Sequence, residues 1–228
     1  MRRSIMLGLA FVAPLSAAVA QGEKDFAAYA GIVTSSLGAF APSAPVVTSE
    51  VGPQSFAMRY GRLELEDSPL SSYGARAEFA AGRGRLGLNA GVGTCSGCEE
   101  VYHVGADWHV PLVDGAVRFG LRPAASMSFF TGDDADEGGW SVALGAPIGI
   151  PLRGEGSPLV LPYLEPAFAF AGIRGEEGES GTRPMLGGGL LVASRSGRVG
   201  VQLGFQKVFI DDGDLTWGLA LTFGGGPR

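Results

Sequence analysis

Ten stretches of this chain alternate, residue by residue, between large apolar and small or polar side chains, and that period of two restricts its fold more than any other feature. They run roughly over residues 54–65, 72–82, 84–93, 101–112, 116–130, 139–151, 158–172, 184–194, 198–209 and 214–223. In the sixth, Trp140, Val142, Leu144, Ala146, Ile148 and Ile150 share one face, and Ser141, Ala143, Gly145, Pro147 and Gly149 share the other. Alternation over a dozen residues is the pattern of an extended strand. Similar rows are Leu86, Leu88, Ala90, Val92, then Val104, Ala106, Trp108, Val110, and then Val199, Val201, Leu203, Phe205. Opposite them stand Gly87, Asn89, Gly91, or His103, Gly105, Asp107, His109, or Gly200, Gln202, Gly204, Gln206.

Two-faced strands of this kind can pack in two ways. A soluble sandwich buries its apolar faces in a core and dresses the others in solvated Lys, Thr and Glu. Here the second faces are mostly Gly, Ala and Ser, which suits a narrow lumen, so the apolar faces are expected to meet lipid. Strands of about 10 residues with this alternation are those of a transmembrane barrel. Hydrophobic residues make up 46% of the chain, yet no run spans a bilayer as a helix, which takes about 20 apolar residues. The 38 glycines of 228 residues show no collagen period and no low-complexity repeat. Glycine within strands marks bulges or close approach of neighbouring backbone.

The N-terminal residues read MRRSIMLGLAFVAPLSAAVAQ, with two arginines, an apolar run and an Ala18-Val19-Ala20 cleavage site. This is the grammar of a secretory signal peptide over residues 1–20. Losing Arg2 and Arg3 with it takes the formal net charge from -6 to -8, and so acidic a chain excludes nucleic acid as an expected partner. In residues 21–53, Phe26, Tyr29, Ala30, Val33, Leu37 and Phe40 recur at helical spacing between Asp25 and Pro42. That predicts a short amphipathic helix followed by a linker, lying in the lumen or at its mouth; an extra strand is the alternative. The barrel is expected over 54–223, with a tail at 224–228.

Charge sorts by connection. With the first strand rising from the periplasm, the inner connections are the short AGRG, VDGA, RGEGSP and SRSG, and Asp114-Gly115 predicts a two-residue hairpin turn. The outer connections carry EDSPLSS, GTCSGCEE, TGDDADEGG, GIRGEEGESGT and DDGD, with 14 of the 23 acidic residues. An even strand count puts both termini on the periplasmic side, as single-chain bacterial barrels require.

The signal peptide, the repeated hairpins over some 170 residues and the last strand resemble the small outer-membrane β-barrel proteins of Gram-negative bacteria, of the porin-like and OmpA/OmpX-like kind. The last strand, TWGLALTF, resembles the recognition signal of that family, with Thr216, Gly218, Leu221 and Phe223 at its positions. The resemblance implies that the outer-membrane assembly machinery binds this strand. It further implies outer-membrane lipid and lipopolysaccharide as surroundings. The tail after Phe223 departs from the pattern, in which the aromatic often ends the chain.

Four groups of residues are candidates for chemistry. Cys95 and Cys98, in one outer connection of an exported chain, are expected to form a local disulfide, with free thiols or half a metal site as alternatives. A haem attachment is excluded by Glu99, which stands where His is needed. By strand parity Arg59, Arg76, Glu78, Asp107, His109, Arg118, Arg122 and Glu165 point into the lumen, where buried charge calls for mutual ion pairs. Omptin-like proteases, which the barrel class includes, use Asp-x-Asp and Asp-x-His pairs at the outer rim. Asp107-Trp108-His109 has one spacing, and Asp134-Ala135-Asp136 and Asp212-Gly213-Asp214 the other. His109, however, lies six residues, about 20 Å, below the rim by strand rise. The acidic connections lack the spacing of a defined calcium loop, and Gly187-Gly188-Gly189 lacks the Lys and Ser/Thr of a phosphate loop.

These features predict an all-β protein, an antiparallel up-and-down transmembrane barrel of about ten strands with a short N-terminal helix. No metal and no cofactor is implied, and a monomer is expected. The expected role is non-enzymatic: structural, surface-interacting, or a narrow porin-like channel. A surface hydrolase of omptin or lipid-modifying type is one alternative, and a soluble exported β-barrel binder is another.

Overall fold

Alternation becomes geometry when each strand finds two partners. The computed structural model describes residues 54–63, 70–94, 100–130, 138–174, 180–196, 198–209 and 215–224. The strands are β1 (Gln54–Leu63), β2 (Leu70–Ala81), β3 (Gly84–Thr94), β4 (Val101–Val113), β5 (Arg118–Phe130), β6 (Gly138–Gly145), β7 (Ile148–Gly149), β8 (Leu159–Arg174), β9 (Ser180–Ala193), β10 (Val199–Val208) and β11 (Leu215–Gly224). The two short pieces β6 and β7 lie end to end between β5 and β8 and make one stave, so the barrel has ten. All pairings are antiparallel between chain neighbours, and β1 pairs with β11 from Ser55↔Gly224 to Leu63↔Thr216, which closes the sheet. Ten strands about 4.8 Å apart and tilted about 40° give a backbone radius of about 10 Å. The closed ten-strand barrel expected from the alternation is thus the observed fold. The N-terminal helix, the signal peptide and the cysteine pair fall outside the described residues.

Two local departures have a common cause in proline, which has no N–H to give to a ladder. The sixth stretch, read as continuous, is interrupted at Ala146-Pro147. Single backbone bonds keep the stave stitched there: Ala146 N donates to Pro166 O at 2.9 Å, Gly120 N to Pro147 O at 3.1 Å and Ile150 N to Pro162 O at 3.1 Å. The second departure lies between β4 and β5, where the register shifts between Pro111 and Val113. The connection is therefore the four residues Asp114 to Val117 and not the predicted two-residue turn at Asp114-Gly115. A true two-residue link joins β2 to β3 at Gly82-Arg83, with Gly82 at φ 59°, a conformation that glycine adopts without penalty.

The apolar rows face outward. Met58 is 58% exposed, Leu203 55% and Val142 54%, and Leu144, Ile148, Leu219 and Leu221 stand beside comparable neighbours all round the wall. A soluble protein with this many large apolar groups on its surface would aggregate. Aromatic residues gather towards both edges of the apolar belt, as in membrane barrels. At one end Tyr60 packs on Tyr73 and Trp217, with ring centroids 5.4 and 5.7 Å apart, and Trp140 packs on Phe170 at 5.0 Å. At the other end the Trp108 indole donates to the carbonyl of Ala81 at 3.3 Å, beside the short turns.

Candidate functional site: the barrel lumen

What fills the lumen follows from the second face of each strand. All eight charged residues assigned inward by parity have side chains on the inner face, and seven of them lie well inside the barrel wall. The eighth, Arg118, sits at the mouth near the short turns, where its Nε is 2.9 Å from Asp114.

The centre is an ion network built across the sheet. Arg76 on β2 grips Asp107 on β4 with both terminal nitrogens, Nη2 donating to Oδ2 at 2.8 Å, while its Nε donates to Glu78 Oε1 at 2.8 Å. The second oxygen of Glu78 accepts from Ser55 Oγ at 3.2 Å and lies 3.4 Å from Arg85 Nε. Arg85 also donates to Ser55 through Nη2 at 3.2 Å. On the far wall Arg122 on β5 donates to Glu165 on β8 at 2.7 Å. Arg59 lies inside as well, with Arg76, Glu78, Asp107 and Arg122 as its charged neighbours. Forked, charge-assisted bonds of this type are the strong ones, and they satisfy the requirement that buried charges be paired.

These long side chains fit only because the strands opposite them carry glycine. Gly87 is the register partner of both Glu78 and Asp107, and a Cβ there would overlap the Arg76 guanidinium. Gly145, the register partner of Arg122, would similarly strike the Glu165 carboxylate. Gly91 makes room for the His103 ring, and Gly120 for His109. These four glycines serve as lumen space for the long side chains beside them.

Below the ions, towards the short turns, Leu159, Leu161, Leu191 and Ala193 form an apolar layer inside the barrel. Just above it Gln202 donates to the Tyr163 hydroxyl at 2.7 Å. Towards the other end the hydroxyls of Ser126 and Ser141 lie 2.7 Å apart, and Ser128 accepts from Gly139 N at 2.7 Å. Glu165 is 2% exposed, His103 1% and Ser128 0%, so these described side chains are shielded from water from the middle of the lumen to its outer part. A residual cavity of about 40 Å³ lies beside Asn89, Asp107 and Arg122, room for about one water molecule.

Both histidines are buried within the wall, and neither His103 nitrogen has a hydrogen-bond partner among the described residues. Of the Asp-x-His and Asp-x-Asp spacings, the structure gives Asp107 to Arg76 and turns Trp108 outward. The two Asp-x-Asp pairs lie outside the described residues. In the last strand Thr216 and Gly218 face the lumen, while Leu221 and Phe223 stand on the outer wall.

Parity reasoning did not single out Arg85, Tyr163 or Ser55. The signal for the first was present, since Arg85 shares the inner face of its strand with Gly87 and Asn89. Tyr163 was hidden by its apolar look: an aromatic on the small-residue face of β8 reads as a lapse in the alternation.

Neither a protein-family model nor a curated protein matches the chain. Among solved structures it is similar to a bacterial polysaccharide outer membrane secretin, with a TM-score of 0.47 and 11% identity over 78% of this chain and 66% of that one. It is similar also to the beta domain of the Bordetella autotransporter BrkA, with a TM-score of 0.47, 10% identity and 77% and 99% of the two chains covered. A third is the N-terminal β-barrel domain of Pseudomonas aeruginosa OprF, with a TM-score of 0.33, 14% identity and coverage of 75% and 97%.

Proposed function

We propose that this protein is an outer-membrane barrel with a structural or surface-interacting role, its lumen serving as a packed core and not as a conduit. The observation that carries this reading is the burial of lumen side chains along the barrel, from Ser128 through Glu165 to Leu161, with ion pairs that reach from β2 to β4 and from β5 to β8 over the strand between them. Between described strands, connections 64–69, 95–100, 131–137, 175–179 and 209–214 hold 15 of the 23 acidic residues and no Lys or Arg. All five belong to the end opposite the short turns. Such a barrel displays strong negative charge at one end and holds it in place with a rigid wall. Export through residues 1–20, assembly through the last strand and residence as a monomer in outer-membrane lipid and lipopolysaccharide belong to the same reading. Non-enzymatic status is supported by the depth of His109 below the rim and by the burial of the His103 side chain, which is 1% exposed.

The test is conductance across a planar bilayer by the refolded mature chain. A silent bilayer is expected. Steady current steps that change size on Arg122→Ala would overturn the sealed core in favour of a narrow porin-like channel.

A further inference from the structure

The lipid-facing wall is not uniformly convex. A groove of about 680 Å³ crosses it from β7 to β11. One bank is the register row Ile148, Leu164, Phe205, Trp217, interrupted at Gly188, over which Leu164 and Phe205 lean. The other bank carries Ile150, Leu190 and Leu203, one pleat along the strands. Between the banks the floor is backbone, at Gly149, Gly189 and Gly204. The lining is almost wholly apolar, and every floor strand is paired on both sides, so no free edge is offered to a peptide strand.

We infer that this groove holds one acyl chain of a phospholipid, entering from the leaflet on the short-turn side. The inference rests on the membrane reading given above. Four strand spacings of about 4.8 Å make the groove about 19 Å long. At a strand tilt of about 40° it rises about 12 Å along the membrane normal, less than the roughly 15 Å of one leaflet's hydrocarbon. Its low end, at Ile148 and Ile150, opens near the short turns. Trp217, packed edge-on against Tyr60, stands at its high end. The groove is continuous with the apolar belt and its lining is hydrocarbon along its length, so a hydrocarbon tail fits and a headgroup does not.

Trp217 supplies the probe. In a Trp108→Phe, Trp140→Phe protein it is the sole tryptophan. This protein is refolded into vesicles of phosphatidylcholine brominated along its chains and then extracted into detergent. The expected result is about one phospholipid retained per barrel, with Trp217 still quenched after extraction. Leu203→Phe, which narrows the groove, should abolish both signals while leaving heat-modifiable gel migration unchanged. Leu86→Phe, on the opposite wall, should abolish neither. No retained phospholipid, or equal quenching in Leu203→Phe, overturns the inference, as does its replacement by lipopolysaccharide when both lipids are supplied. Chemical cross-linking that yields dimers through Leu203→Cys would show a second copy in the groove and overturn it too. A chain that shows no heat-modifiable migration and folds in plain buffer removes the membrane reading itself, a separate outcome.

Discussion

Asp107→Ala is the perturbation that asks most of the lumen network. In the folded barrel Asp107 receives both terminal nitrogens of Arg76, and the two side chains are almost fully buried. Truncation leaves a guanidinium inside the wall with one carboxylate contact, the 2.8 Å bond from Nε to Glu78. Breaking a buried pair by removing one partner costs about 3–5 kcal/mol, and the surviving Glu78 bond places the expectation near the lower value, about 3 kcal/mol. With a urea slope of about 2–3 kcal/mol per molar, the unfolding midpoint should fall by about 1–1.5 M. The assay is equilibrium urea unfolding in lipid vesicles, followed by tryptophan fluorescence and by gel migration without boiling. Replacing both partners, Arg76→Leu with Asp107→Leu, should restore at least half of the loss, because two apolar groups leave no uncompensated charge there and Glu78 keeps Arg85. A midpoint for Asp107→Ala within about 0.3 M of the parent would refute the reasoning, since the lumen would then be wet enough to solvate Arg76.

Four other predictions rest on the same structure. Gly87→Val should destabilise by about 1–3 kcal/mol through overlap with the Arg76 guanidinium. Gly115→Ala, with nothing near its Cβ, should stay within about 0.5 kcal/mol on the same urea assay. On the outer wall, Met58→Arg at the middle of β1 should cost about 2–4 kcal/mol, and Val199→Arg at the end of β10 at most about 1 kcal/mol. Equal costs at the two depths, measured in vesicles, would remove the lipid belt. Phe223→Ala should lower the amount of folded barrel recovered from cell membranes several-fold while the refolded protein loses only a modest part of its stability; equal losses in both would leave the last strand no part in assembly.

The architecture was legible because barrel strands expose their period directly. Trp140 to Ile150 and Val199 to Phe205 fall on the outer face where parity puts them. Strand ends shifted by a few residues, as at β9, which begins at Ser180 and not near 184. Rim residues there extend the ladder without alternating in hydrophobicity. The stave break at Pro147 and the bulge after Pro111 were less legible, since a proline shows which bond is missing but not how the neighbours repair it. Parity also gave the inward charges, but not their pairing. That Arg76 would choose Asp107, 31 residues away, depends on the stagger of β2, β3 and β4, which no single strand encodes. Glycine carried more information than composition revealed, because Gly87, Gly91, Gly120 and Gly145 are each the imprint of a particular long side chain on a neighbouring strand.

That imprint constrains how such a sequence can drift. A lumen glycine and the side chain lying over it form one unit of volume, so neither can change size alone without cost. In relatives that keep this barrel, a larger residue at the position of Gly87 should appear together with a shorter one at that of Arg76, and the same trade should link Gly145 with Glu165. The outer wall carries no such pairing rule, because bilayer lipid adjusts to whatever apolar shape it meets. Inherited variation in this barrel should therefore be coupled on the inside and independent on the outside, the opposite of the freedom that its buried charges and exposed leucines would suggest at first sight.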